Sequence, residues 1–153
     1  MTNRSEESKL DLLRKEMTLT EEIIRDKDPK CYPLWHHRRW LFHQWVSMIT
    51  LECRRPCLLE ERELKLCELL LKLDQRNFHC WNHWMLVCRE MRVSLEDQMA
   101  FTWQRIMENE SNYSAWHFRG ELLYQLLLEK YPDDESKCVE LLSGGSGRVW
   151  FEN

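Results

Sequence analysis

"DPKCYPLWHHRRW", residues 28–40, decides how the chain folds. It crowds a lysine, a tyrosine, two tryptophans, two histidines and two arginines into one short run. Related runs return at "RNFHCWNHW", 76–84, and "SNYSAWHFR", 111–119. Each sets an aromatic residue three positions before a tryptophan: Tyr32 and Trp35, Phe78 and Trp81, Tyr113 and Trp116. Three such runs in 153 residues imply an internal repeat.

Steps of three and four place side chains on one face of an α-helix. Tyr32, Trp35, Arg39, Phe42 and Trp45 follow that step, as do Tyr113, Trp116, Leu123 and Leu127. Leucine-rich segments separate the aromatic ones: "LEERELKLCELLLKLD", 59–74, and "SLEDQMAFTWQRIMENE", 94–110. Ser94 with Asp97 resembles a helix capping box, with Asp in place of Glu or Gln. An earlier leucine-rich helix is expected over about 6–26. Reading each unit as an aromatic helix followed by a leucine-rich one makes that first helix the back half of an incomplete unit. The interval from Trp35 to Trp81 exceeds that from Trp81 to Trp116, and the surplus is assigned to a lengthened loop over 47–60.

The expected fold is all-α: a right-handed alpha-alpha superhelix, or solenoid, of stacked helical hairpins with about three repeats. One helix pair cannot bury its apolar face alone, whereas stacked pairs cover each other. Trp35, Trp81 and Trp116 are therefore read as inter-helix anchors. Arg38 and Arg119 each follow their tryptophan by three residues. A buried arginine needs an acidic or carbonyl partner, and its planar fork suits a carboxylate on a neighbouring helix. They read as staples of the repeat first and as ligand groups second. Trp84 replaces the arginine in the middle unit, exchanging a staple for apolar contact. The repeat domain is expected over 1–143. Gly144, Gly145 and Gly147 end the last helix, so 144–153 is expected to be a disordered or divergent tail.

Composition narrows the function classes. Hydrophobic residues at 43% and charged residues at 31% describe a globular chain. A net charge of −4 argues against a general nucleic-acid binder. No apolar run is long enough to span a membrane, and the polar N-terminus has no signal-peptide core. A cytoplasmic protein follows, with seven cysteines read as free thiols. Cys53 and Cys57 have no second matching pair, so no metal site is expected in this chain. No Ser-His-Asp arrangement or phosphate-binding glycine loop is visible. A tetratricopeptide reading fits the second Trp interval but not the Trp-x-x-Arg pattern.

With Tyr, Trp and Arg recurring at threes, the chain resembles the alpha subunits of the protein prenyltransferases from about residue 10 to about residue 130. Pro33 stands where the branch that modifies C-a-a-X proteins carries glutamine. "RNFHCW" and "SNYSAWH" look more like the Rab geranylgeranyltransferase branch, with the farnesyl and type-I geranylgeranyl alpha subunit as the alternative. The resemblance implies a portion of a subunit that wraps a beta subunit. That partner would carry the catalytic zinc, so this chain itself would bind no cofactor. It implies an isoprenoid diphosphate at the subunit interface and a Rab protein presented by an accessory escort protein. By the same resemblance Lys30 and Tyr32 stabilise the diphosphate and His79 contacts substrate. The residues leave alternatives: Tyr32 as a buried ring, His79 as a structural polar group. His36 and His37 are read as lining an interface or helix contact. A non-catalytic helical-repeat scaffold is the rival reading.

Overall fold

The structure, a computed structural model, describes residues 4–52 and 57–143. Among the described residues it contains seven α-helices and no strand, so the chain is all-α. The helices are α1 (Arg4–Asp26), α2 (Tyr32–Glu52), α3 (Cys57–Leu73), α4 (Phe78–Glu90), α5 (Leu95–Glu108), α6 (Tyr113–Lys130) and α7 (Glu135–Ser143). The expected tail, 144–153, lies outside the described residues.

One turn, built three times, starts α2, α4 and α6. In each, an Asp or Asn carbonyl accepts the N–H three residues on: Cys31 to Asp28, Asn77 to Asp74, Asn112 to Asn109. The side chain of that same residue accepts the N–H two residues on, at 3.0–3.1 Å: Lys30 to Asp28, Arg76 to Asp74, Ser111 to Asn109. Asp and Asn close such turns because their short side chains reach their own backbone. Asn77 and Asn112 then cap α4 and α6, accepting from Cys80 N and Ala115 N. The tryptophan completes the unit. Its indole N–H donates to the carbonyl six residues earlier: Trp35 to Pro29 at 2.8 Å, Trp81 to Gln75 at 2.9 Å, Trp116 to Glu110 at 2.8 Å. The expected anchors thus fasten the turn to the helix it starts, as well as filling core.

These fastened turns fix which helices pair. α1 packs on α2, α3 on α4 and α5 on α6. Each hairpin is a leucine-rich helix followed by an aromatic one, the reverse of the order expected from sequence. α1 is therefore the front half of the first hairpin, not the remnant of a missing unit. The surplus before α3 is also mostly helix: α2 continues to Glu52 and α3 starts at Cys57. Residues 47–52 contain no glycine or proline to stop it.

The chain divides into two compact units, 1–93 and 94–153. In the first, α2 also packs on α4, so two hairpins stack. Met17, Leu41, Phe42, Leu59, Leu86 and Val87 form its core, with half-buried Trp45 and Met91 against it. Trp35 and Trp81 are fully enclosed. Trp84 is buried edge-on to Trp81 at 5.7 Å, the apolar replacement expected there. The Cys67 and Cys80 thiols, also enclosed, each donate to the other's carbonyl. The Cys80 hydrogen bond first, and burial second, hold the Cys67 thiol well above its ordinary range, which leaves it inert.

In the second unit Ile106, Ala115, Leu122 and Cys138 are buried. Ser94 caps α5, accepting from Asp97 N at 3.1 Å, while its hydroxyl donates to the Asp97 carboxylate at 2.7 Å. Trp116 is half-buried rather than enclosed, so its anchoring rests more on its hydrogen bond than on burial.

Candidate functional site

Tyr32 is the first residue of α2 and Phe78 the first of α4. Both are 60% exposed, so Tyr32 is not on the buried stripe that helical spacing assigned it. The reason lies in the fastened turn: Trp35 swings inward beneath the loop, and the residue three before it stands on the rim. Tyr113, the first residue of α6, is exposed in the same way.

The start of α2 meets the start of α4. The Tyr32 ring lies 5.8 Å from the His79 ring and stacks near His36 at 6.3 Å. His79 is largely buried, and its Nδ1 has no hydrogen-bond partner; the same holds for Arg39 Nε. Burial first, and the charge of Arg39 second, push the His79 imidazole below the ordinary 6.5. His79 is therefore neutral near pH 7, able to donate from one ring nitrogen and accept at the other. Lys30 Nζ reaches Asp74 Oδ2 at 2.7 Å, in the turn that opens α4.

Two helix N-termini, Lys30, Arg39 and Arg76 thus belong to one region of the first unit. Helix N-termini carry unsatisfied N–H groups and partial positive charge, which favour anions. Tyr32 and His79 come together here, while Lys30 is tied to the adjoining turn. Phe78 cannot donate a hydrogen bond, so the polar contacts of this rim fall to Tyr32 and the histidines. Among the described residues no three His, Cys, Asp or Glu side chains converge as a metal ligand set.

The expected staples hold helices together, each in its own way. Arg38 is fully buried and forks onto Glu63 of α3 through Nε at 3.1 Å and Nη2 at 2.7 Å. Its Nη1 donates to Met17 O and Thr20 Oγ1 of α1 at 2.8 and 2.7 Å. Arg119 instead donates to Met99 O at 2.7 Å and lies over the Trp103 ring at 5.3 Å. Both arginines thus reach a methionine carbonyl on the preceding helix. Sequence reasoning missed His83, which is fully buried and donates from Nε2 to Glu63 Oε2 at 2.7 Å. No local pattern marks that pair; only its place one residue before Trp84 hinted at an inward position. His37 makes the helix contact expected of it, 3.3 Å from Glu16 of α1.

The fold and its three turns define an all-helical hairpin-repeat protein with Trp-fastened helix starts. The protein prenyltransferase alpha subunit repeat matches residues 13–45, 60–91 and 95–126, the same three hairpins in the same order. The chain belongs to that family. It is 39% identical over 125 residues to the geranylgeranyl transferase type-2 subunit alpha of Rattus norvegicus, covering 82% of this chain and 20% of that protein. The Homo sapiens protein of the same name gives the same figures. That of Candida albicans is 29% identical over 140 residues, covering 83% of this chain and 36% of its own length. The chain thus spans about one fifth of the length of the mammalian relatives it matches. No described helix is long and apolar enough to cross a membrane.

Proposed function

We propose that this chain is a non-autonomous portion of the alpha subunit of a Rab geranylgeranyltransferase. It works with a zinc-bearing beta subunit to move a geranylgeranyl group from diphosphate to C-terminal cysteines of Rab proteins, which an escort protein delivers in the cytoplasm. The observation that carries this reading is the meeting of the α2 and α4 N-termini around Tyr32 and His79, with Lys30 beside them. The names of the relatives support the type of transfer.

The chemistry divides between the chains. In such a transfer zinc, held by the partner, supplies a thiolate nucleophile. This chain serves the other end. As the carbon–oxygen bond breaks, negative charge grows on the diphosphate, and fixed cations and donors lower that barrier. Lys30 is the cation, Tyr32 an exposed phenol donor, and neutral His79, its ring 5.8 Å from that of Tyr32, a second donor.

Co-expression with a prenyltransferase beta subunit, followed by measurement of geranylgeranyl transfer to a Rab C-terminus, tests the proposal. Lys30→Ala is expected to slow turnover roughly tenfold to a hundredfold while leaving assembly intact. Assembly and turnover falling together would make Lys30 structural. Stable assembly with no transfer by the unaltered chain would favour the scaffold reading.

A further inference from the structure

Asp74 has two jobs, and its turn needs only one of them. Oδ1 accepts Arg76 N at 3.1 Å and closes the turn before α4. Oδ2 lies 2.7 Å from Lys30 Nζ, which belongs to the turn before α2. Asn109 builds the equivalent turn before α6 with an amide oxygen, accepting Ser111 N at 3.0 Å. The turn therefore does not require a negative charge, although Asp28 also supplies a carboxylate in the turn before α2; the charge at residue 74 meets the Lys30 ammonium.

The ammonium is accessible: the Lys30 side chain is 68% exposed and that of Asp74 33%. An arriving anion can thus draw Lys30 away without unfolding either turn. The Lys30 hydrogen bond, aided by the Arg76 N–H and only partly opposed by burial, keeps the Asp74 carboxyl below its ordinary value and so ionised.

Resting on the functional reading above, we propose that Asp74 is a displaceable counter-ion for Lys30, holding the ammonium in place when no anion is bound and weakening its grip on diphosphate. A carboxylate in this position lowers affinity in two ways. It competes for the ammonium, and it repels any phosphate that replaces it. An edge made of two helix N-termini and several cations would otherwise retain the released diphosphate. Asp74 is a positioning residue: it acts through Lys30 and touches neither the transferred group nor the nucleophile.

The test uses the full chain and inorganic diphosphate, titrated calorimetrically or by NMR at fixed ionic strength. Asp74→Asn preserves the turn, as Asn109 does in its own. Asp74→Ser serves as a second variant, with thermal melting to verify the fold of each. Both are expected to bind diphosphate about two- to fivefold more tightly, the range an exposed ion pair commands. Lys30→Ala is expected to weaken binding, and adding Asp74→Asn to it to gain less than Asp74→Asn gains alone, because only the repulsion, not the competition for Lys30, is then relieved. If Lys30→Ala weakens binding but neither Asp74 variant tightens it, the counter-ion role is overturned and the functional reading stands. If binding ignores Lys30 altogether, the reading of Lys30 as the diphosphate cation falls, and this inference with it.

Discussion

Arg38 and Glu63 face each other in the interior of the first unit, both fully buried and joined by two hydrogen bonds of 3.1 and 2.7 Å. The pair ties the first hairpin to the second, since Arg38 belongs to α2 and Glu63 to α3. Met17 O and Thr20 Oγ1 of α1 take the remaining arginine donors, and His83 of α4 donates to Glu63. Four helices therefore converge on one ion pair.

Removing one partner of this pair should be far costlier than removing both. Glu63→Ala strips the buried guanidinium of its two hydrogen-bonded carboxylate contacts and leaves it only the more distant Glu21 carboxylate, at 3.9 Å, so it is expected to lower unfolding free energy by about 3 kcal/mol. Arg38→Met with Glu63→Leu removes both charges at similar volume and should recover much of that loss. Recovery should stay incomplete, because His83 then has no acceptor for its Nε2 proton. Urea denaturation followed by tryptophan fluorescence measures both. A double variant no more stable than Glu63→Ala would show that the pair does not act as a unit.

The same carboxylate sets a pH dependence. Burial alone would raise the Glu63 carboxyl, but the His83 hydrogen bond and the Arg38 charge outweigh it, leaving it below the ordinary 4.5. A carboxyl depressed by folding adds stability that is present above its unfolded value and lost as pH falls through its folded value. The stability difference between the unaltered chain and Glu63→Gln should thus shrink as pH falls from about 4.5 downward. Urea midpoints across that range provide the measurement. Other carboxylates titrate in both proteins and cancel in the difference. A gap that widened in acid would mean that folding raises the Glu63 carboxyl.

How legible these features are in the sequence depends on their range. Helix positions follow from Trp35, Trp81 and Trp116, because side chains three or four apart share a face whatever else surrounds them. Arg38 is legible as a staple for the same reason. Hairpin phase is not. Alternating helix types can be paired in either order, and the deciding bond, an indole N–H to a carbonyl six residues back, leaves no compositional trace. The rim is half legible: resemblance points to Lys30, Tyr32 and His79, but periodicity places Tyr32 in the core. The partners of Lys30 and His83 come from a different helical hairpin and a facing helix, where local spacing carries no information about pairing.

Arg92 offers a site for stabilisation. It follows α4 with φ of 55°, in the left-handed region. Its N–H bonds to Arg89 O at 3.3 Å and that of Val93 to Cys88 O at 2.9 Å, the pair of bonds with which a left-handed residue closes a helix. Glycine adopts that conformation without the side-chain clash any other residue meets. The Arg92 side chain is exposed, so little packing is lost on removing it. Arg92→Gly is expected to stabilise the fold by roughly 0.5–1 kcal/mol, and Arg92→Val to destabilise it, since β-branching worsens the clash. Thermal melting of both variants checks the sign.

Asn77 and Asn112 cap their helices alike, yet the same substitution should separate them. Each accepts a backbone N–H through Oδ1, at 3.2 Å from Cys80 and 3.1 Å from Ala115. Their amide nitrogens differ. Asn77 Nδ2 donates to Pro29 O at 2.9 Å, the carbonyl that also accepts from Trp35, and so links two turns. Asn112 Nδ2 is buried without a partner. Aspartate would keep both caps, and its charge suits a helix N-terminus. At 77, however, it would turn an oxygen onto the Pro29 carbonyl and lose a buried bond, at a cost of about 1–3 kcal/mol. At 112 no existing bond is lost, but the new carboxylate oxygen is buried without a donor, so Asn112→Asp is expected to be destabilising by less than Asn77→Asp, the helix N-terminus offsetting part of the cost of burying the charge. Chemical denaturation of the two variants measures the contrast. Equal losses at both positions would mean that the Pro29 link contributes nothing and that the caps alone account for these asparagines.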